Sequence, residues 1–273
     1  MIHNKHELKQ KMQKKGVSFS VFTKMWKDNS PTELGEFVLD LGFDGIELPV
    51  RAGYPVPPES VGRDLPQAAK ELGALGVAIT SVAGPTDEAT IAACGAAGVP
   101  VIRTCPAITS EGYLASIEGH QRAFDALIPL LDKHGVALGI QNHEGQWVCN
   151  AMGIKHLIDR YDPSHICAIP CAGHTALNGE SPEMAIDIVW PHLSQFKLKN
   201  AYWRRQIGPE VENVEWRPYW TTGRQGLASW PRSVAELKRR GFSGVVCMDA
   251  EYHDAASTER LLAEDIAFAK SLF

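Results

Sequence analysis

The stretch Val136-Ala-Leu-Gly-Ile-Gln141-Asn142-His143-Glu144-Gly145 is an apolar run that ends abruptly in four polar side chains able to exchange protons or hydrogen bonds. A short buried strand that breaks into polar residues at its C-terminal end is how an α/β protein presents chemistry to a pocket. Gly135, just before it, belongs to a pattern. Glycine followed by a β-branched or aromatic run recurs as Gly16-Val-Ser-Phe-Ser, Gly42-Phe-Asp-Gly-Ile-Glu47, Gly76-Val-Ala-Ile-Thr, Gly98-Val-Pro-Val-Ile and Gly241-Phe-Ser-Gly-Val-Val. Each glycine follows a segment of helical periodicity, where the left-handed conformation of a C-terminal cap wants a residue without Cβ. The repeating unit is helix, glycine, strand.

Two further strands, His165–Cys171 and Leu193–Lys199, bring the count to eight. Amphipathic stretches separate them: Pro31–Leu41, Pro66–Leu75, Ala115–Lys133, Pro182–Trp190 and Ser233–Arg240, with Thr258–Leu272 at the end. Eight alternating units predict a parallel (β/α)₈ TIM barrel, with a doubly wound open sheet as second choice. No composition break divides the chain, so a single domain over 1–273 is expected, residues 1–15 forming an N-terminal extension or helix.

With 273 residues, 44% hydrophobic and 22% charged, the composition is that of a globular protein. A net charge of −5 with no concentrated basic stripe excludes nucleic acid and anionic membrane as preferred partners. A small molecule is the default, with homo-oligomerisation open. Neither a signal-peptide core nor a bilayer-length apolar run is present, which leads to a cytoplasmic expectation. The six cysteines lack paired spacing, so reduced thiols are expected, with Cys94, Cys167 and Cys247 as packing residues.

In such a barrel, chemistry sits where strands end. The strand ends supply the carboxylates Glu47, Glu144, Asp249 and Glu251, the imidazoles His143, His174 and His253, and the cations Lys197 and Lys199. Proton transfer next to a carbonyl needs such an acid/base pair and a group that stabilises the enolate oxygen. Strand alternation turns Gln141 inward and Asn142 away, and gives Lys197 and Lys199 one shared face pointing into the mouth. Glu47, before Leu48-Pro49, must face the mouth or meet a cation, and Glu180 suits a helix cap. Cys171 with His174 resembles a nucleophile and base only superficially, since a thiol needs a lowered pKa. The segment Val50–Ser60 is proline-rich. The connection Ala201–Gly226 is long, with Trp203, Trp216, Tyr219 and Trp220 among Arg204, Arg205, Arg217 and Arg224. These aromatic and guanidinium groups suit sugar faces and polar substituents, and they equally suit burial against the barrel or a second subunit.

The motifs Phe-Asp-Gly-Ile-Glu47, Ile-Gln141-Asn-His143, Cys171-Ala-Gly-His174, Lys197-Leu-Lys199-Asn200 and Gly244-Val-Val-Cys-Met-Asp249 resemble those of the xylose isomerase-like sugar isomerase and epimerase superfamily. That superfamily includes ketose 3-epimerases, hydroxypyruvate isomerase and inosose dehydratase, and is related to endonuclease IV. The resemblance covers essentially the whole chain and implies a sugar or keto-sugar substrate and enediolate chemistry. It also implies a divalent metal, Mn or Mg, held by two glutamates, an aspartate and a histidine. Here Gln141, Cys171, Lys197 and Asp249 stand at those four places, and all four depart from the family pattern. Asp keeps a hard oxygen ligand, Gln keeps one neutral oxygen, and Cys suits a softer metal. An ammonium cannot ligate at all. The usual metal is therefore expected to be absent, or bound in a rearranged site drawing on His143, His174, Asp249 and Glu47.

With the resemblance included, the expected catalytic set is His143, Lys197, Asp249 and Glu47, the Lys197 ammonium standing in for the metal beside Asp249. The expected substrate-binding set is Gln141, His174, Lys199, Trp203, Arg204 and Glu251. A related lyase and a non-catalytic sugar-binding descendant are the alternatives.

Overall fold

The capping glycines adopt the left-handed backbone that their positions require: φ is +86° at Gly42, +84° at Gly76, +71° at Gly98, +63° at Gly135 and +73° at Gly241. Each lets the chain turn sharply from a helix into the next strand. The computed structural model describes residues 16–273, and the expected N-terminal extension or helix over 1–15 lies outside them.

The strands that follow are β1 (Ser18–Phe22), β2 (Gly45–Pro49), β3 (Ala78–Ala83), β4 (Val101–Thr104), β5 (Ala137–Ile140), β6 (Ile166–Ala168) and β7 (Gln195–Leu198). After an antiparallel ribbon of β8 (Asn200–Ile207) and β9 (Glu215–Thr221) comes β10 (Val245–Asp249). Eight of these pair in parallel in the order β6-β5-β4-β3-β2-β1-β10-β7. The ring closes between β6 and β7 through Ser194 N–H to Ala168 O at 3.0 Å and Lys197 N–H to Pro170 O at 2.9 Å, two bonds in place of a full ladder. The protein is the expected (β/α)₈ TIM barrel, nearly closed.

Around it run α1 (Pro31–Asp40), α2 (Val61–Ala74), α3 (Glu88–Ala97), α4 (Tyr113–His134), α5 (Ala151–Ile158), α6 (Ala172–Leu177), α7 (Pro182–Val189), α8 (Trp230–Arg239) and α9 (Thr258–Leu272). Side-chain caps fix several starts. In α1, Ser30 and Glu33 form a reciprocal capping box. In α5, Asn150 accepts from Gly153 N–H at 2.8 Å, while the Glu180 carboxylate accepts from Ala151 N–H at 2.8 Å and Met152 N–H at 3.3 Å. Glu180 thus caps a helix distant in sequence.

Two features differ from the sequence expectation. Helix α2 begins at Val61, so Pro66 sits inside it instead of at its start. The connection 201–226 is largely the β8–β9 ribbon, with Tyr202 opposite Tyr219 and Arg204 opposite Arg217.

The strands β2, β7 and β10 are buried along their whole length. Their outward side chains, such as Ile46, Leu48, Phe196, Leu198, Val246 and Met248, join the main core under the helices. Inside the barrel, space is tight enough at Gly139 that a Cβ there would lie 2.3 Å from Ile169 Cδ1. Among the described residues no helix is long and apolar enough to cross a membrane.

Candidate active site

Alternation along β7 sends Phe196 and Leu198 to the helices and Lys197 and Lys199 to the barrel mouth. Lys197 is completely buried, and its Nζ lies 2.5 Å from Asp249 Oδ1 and 2.9 Å from Glu47 Oε1. Glu47 also accepts from Arg103, at 2.7 Å from Nη2 and 3.2 Å from Nε, and from Ser81 Oγ at 3.0 Å. Burial alone would push the Glu47 carboxyl up, but Arg103 and Lys197 outweigh it and hold the group at about 2. For Lys197, burial opposes the charge and the carboxylates of Asp249 and Glu47 more than offset it, so its pKa is raised and the ammonium persists. Glu47 therefore meets two cations, which a buried carboxylate requires.

A second ion cluster flanks the first. Glu251 pairs with both Lys199 and Lys24, and Lys199 Nζ sits 3.8 Å from the centroid of the Trp220 ring. Trp220 comes from β9, so the ribbon packs behind Lys199 and His174, two residues of the mouth. The Trp220 and His174 rings meet edge to face at 5.0 Å.

The polar end of β5 completes the wall. Asn142 is buried and structural: its amide donates to Thr175 Oγ1 and Cys149 O, and its oxygen accepts from Cys171 N–H at 2.7 Å. His143 and His174 stack with ring centroids 4.1 Å apart. Their hydrogen bonds assign opposite tautomers. Nδ1 of His143 lies 2.9 Å from Glu144 O and must donate to it, which leaves the Nε2 lone pair open. Nδ1 of His174 accepts from Glu144 N–H at 3.1 Å, so its proton is on Nε2. Burial holds His174 down at about 4, hence neutral at physiological pH. Neither His174 Nε2 nor Gln141 Oε1 has a partner among the described residues, although both are buried. Unpaired buried polar atoms cost about 1–3 kcal/mol each, and they are tolerated where a ligand is meant to meet them.

These groups surround a cavity of about 580 Å³, a volume suited to a small polar molecule. Of the sequence-expected residues, Gln141, His143, His174, Lys199, Asp249 and Glu251 line it. Glu47 and Lys197 lie beneath its floor, bonded to residues that line it. Trp203 and Arg204 do not line it, because β8 carries them outward: Trp203 Nε1 donates to Leu177 O at 3.0 Å, and the Arg204 guanidinium stacks 5.0 Å from the Tyr219 centroid. They fasten the ribbon rather than face the cavity. Sequence reasoning missed Lys24, Arg51 and Arg103 as wall residues. All three are cations on a strand end or just after one, so the strand-end rule that found Lys199 could have found them.

The donor set does not fit a hard divalent cation at the four family positions. Burial pushes the Cys171 thiol up to about 12, so it stays protonated, which also disfavours it as a nucleophile. Lys197 carries a charge where a ligand would be, and Asp249 is engaged by it. The expected rearranged site is not assembled either: among the described residues, His143 and His174 cluster with Glu144, and Glu47 and Asp249 cluster with Cys247 around Lys197. Both histidine Nδ1 atoms are already spent on Glu144 backbone atoms.

The sequence pattern of the xylose isomerase-like TIM barrel matches residues 36–272. The chain belongs to that family. Among curated sequences none matches it. Solved structures with the same fold include a D-psicose 3-epimerase with D-tagatose from Clostridium cellulolyticum H10, at 12% identity and TM-score 0.65, covering 93% of this chain and 99% of that one. They also include a 3-keto-D-glucoside 4-epimerase from E. coli, at 11% identity and TM-score 0.71 over 93% and 99% of the two chains. A xylose isomerase domain protein from Planctomyces limnophilus aligns at 15% identity and TM-score 0.69 over 94% and 96%. At these identities the likeness is one of fold.

Proposed function

We propose that this chain is a sugar or keto-sugar isomerase- or epimerase-like enzyme that moves a proton at the carbon beside a carbonyl, with a buried ammonium at the place of the family's metal. The observation that carries this reading is Lys197 Nζ seated between Asp249 and Glu47 under the cavity floor. Together with Arg103 this ammonium offsets the Glu47 and Asp249 carboxylates beneath the floor, which leaves the Lys199 ammonium to favour the negative charge that builds on the carbonyl oxygen as the proton leaves.

The groups on the wall divide the work. His143, with its Nε2 lone pair open, takes the proton from carbon, the C–H electron pair becomes the C=C bond of the enediolate, and the carbonyl pair moves to oxygen. The Nε2–H of His174 and the Lys199 ammonium serve that oxygen, and Gln141 Oε1 accepts from a substrate hydroxyl. Return of the proton to the opposite face gives an epimer, and return to the neighbouring carbon gives an isomer. Asp249, held as a carboxylate by Lys197, is the second group on the wall able to take up a proton. Support for a sugar-type ligand comes from two structures that share the fold, a D-psicose 3-epimerase with D-tagatose and a 3-keto-D-glucoside 4-epimerase.

Incubation with candidate ketoses in D₂O, followed by NMR, tests the reading. Deuterium at the carbon beside the carbonyl, undiminished by chelator and lost in Lys197→Ala, is the expected result. Tight binding without exchange would make the chain a sugar-binding descendant. Stoichiometric Mn or Zn in the purified protein, with Lys197→Ala still active, would overturn the role given to the ammonium.

A further inference from the structure

The cavity is positively charged in a protein whose net charge is −5. Lys24, Arg51, Arg103 and Lys199 line it against two carboxylates, Asp249 and Glu251. Below the floor Lys197 and Glu47 cancel, and the balance stays positive even when Glu144, behind the histidine pair, is counted.

The partners show where the surplus lies. Glu251 is shared by Lys24 and Lys199, Asp249 is taken by Lys197, and Glu47 is taken by Lys197 and Arg103. Most guanidinium groups of the described residues likewise have a carboxylate: Arg63, Arg160, Arg217, Arg232 and Arg240 are examples. Among the described residues no carboxylate pairs with Arg51. Its half-buried guanidinium stands 5.6 Å from the centroid of the Phe22 ring, on whose ring Arg103 stands at 4.8 Å. The backbone beneath it is fixed: Arg51 N–H donates to Val56 O at 3.2 Å, Tyr54 N–H donates to Arg51 O at 3.2 Å, and the Tyr54 hydroxyl donates to Lys24 O at 3.0 Å. The proline-rich segment after β2 thus holds a charged planar fork at the rim of the cavity, with its ordering cost already met by the fold.

We infer, on the strength of the proposed function, that the substrate is an anionic keto-sugar, and that Arg51 receives its carboxylate or phosphate while the polyol and carbonyl portion reaches His143, His174 and Lys199. A guanidinium suits both anions through paired N–H donors, and the two are separated by the test.

The probes are D-fructose, D-fructuronate and D-fructose 6-phosphate, which share a ketose and differ in the terminal group. Each is titrated calorimetrically into wild type, Arg51→Gln and Arg51→Lys, and each is followed separately for deuterium exchange. At least one anion should bind wild type about 10- to 100-fold more tightly than D-fructose, as expected for a charge-assisted hydrogen-bonded contact. Arg51→Gln should remove that advantage and Arg51→Lys should keep part of it, with the melting temperature of both variants near wild type. Preference for fructuronate identifies a carboxylate, and preference for the 6-phosphate identifies a phosphate. The inference is overturned if neither anion binds more tightly than D-fructose, or if Arg51→Gln weakens neutral and anionic ligands equally. Arg51-dependent anion binding without exchange would sink the enzymatic reading and leave the anion site standing. Exchange of D-fructose with no anion preference would do the reverse.

Discussion

Replacing Lys197 by methionine keeps most of the buried stem and deletes the ammonium. Asp249 then loses its ion pair, and Glu47 keeps Arg103 alone. Removing one partner of a buried pair costs about 3–5 kcal/mol, because the other charge stays behind. In a domain of this size each kcal/mol moves the melting temperature by about 2–4 °C, so a fall of about 6–20 °C is expected at pH 7. The acid limb gives an independent signature. Glu47 titrates at about 2 in the fold against 4.5 as an ordinary carboxyl. A depressed carboxyl stabilises above its unfolded pKa and loses that contribution as pH falls through the folded one, here between 4.5 and about 2. That gap corresponds to about 3 kcal/mol at roughly 1.4 kcal/mol per pH unit. With Arg103 as sole cation the gap narrows, so the variant's stability should fall less steeply over this window. Calorimetric melting from pH 2.5 to 7 measures both effects. A melting temperature within about 2 °C of wild type, together with an unchanged acid limb, would refute the idea that this ammonium holds the floor together.

Other changes are as definite. The triple variant Gln141→Glu, Cys171→Asp, Lys197→His restores oxygen and imidazole donors at the family positions, and isothermal titration should then detect Mn²⁺ binding by the variant and none by wild type. In the wall between the ribbon and α9, Asp265 accepts from Gly223 N–H and the Tyr252 hydroxyl, both at 2.9 Å, and burial raises its carboxyl to about 6. A raised carboxyl stabilises when protonated, so wild-type stability should decline as pH rises from 3.8 to about 6, and Asp265→Asn should flatten that decline in pH-dependent denaturant melts. Glu180→Ala strips the N-terminus of α5 of its carboxylate cap, and urea unfolding should show a loss of about 1–2 kcal/mol. His174→Phe keeps the ring stack but deletes the Nε2 donor, and should slow exchange at carbon far more than it weakens ligand binding.

The barrel was legible because its grammar is local. Each capping glycine announces the end of one helix and the start of one strand, and the backbone at Gly42, Gly76, Gly98, Gly135 and Gly241 obeys it. Helices without a contrasting polar face were harder to see: α3, Glu-Ala-Thr-Ile-Ala-Ala-Cys-Gly-Ala-Ala, is nearly all small or apolar and shows no period. The β8–β9 ribbon was hidden for a different reason. It projects beyond the barrel, with Trp203, Ile207 and Trp216 exposed, so no buried face imposes strict alternation on its sequence. In the site, the inward turn of Gln141, Lys197 and Lys199 followed from strand alternation. Which cation meets which carboxylate did not. Arg103 and Glu47 are 56 residues apart, and only the register of neighbouring strands brings them together. Trp203 and Arg204 were drawn toward the cavity by residue type, whereas their strand carries them away from it.

The bond from Lys197 N–H to Pro170 O is one of the two that close the ring between β6 and β7. One residue therefore fastens the seam with its backbone and bridges two carboxylates with its side chain. Opening the seam drags the ammonium with it, and disturbing the ammonium strains the seam. Amide hydrogen exchange at this single position should consequently report on both the integrity of the ring and the occupancy of its mouth, slowing when a ligand tightens the charges above it.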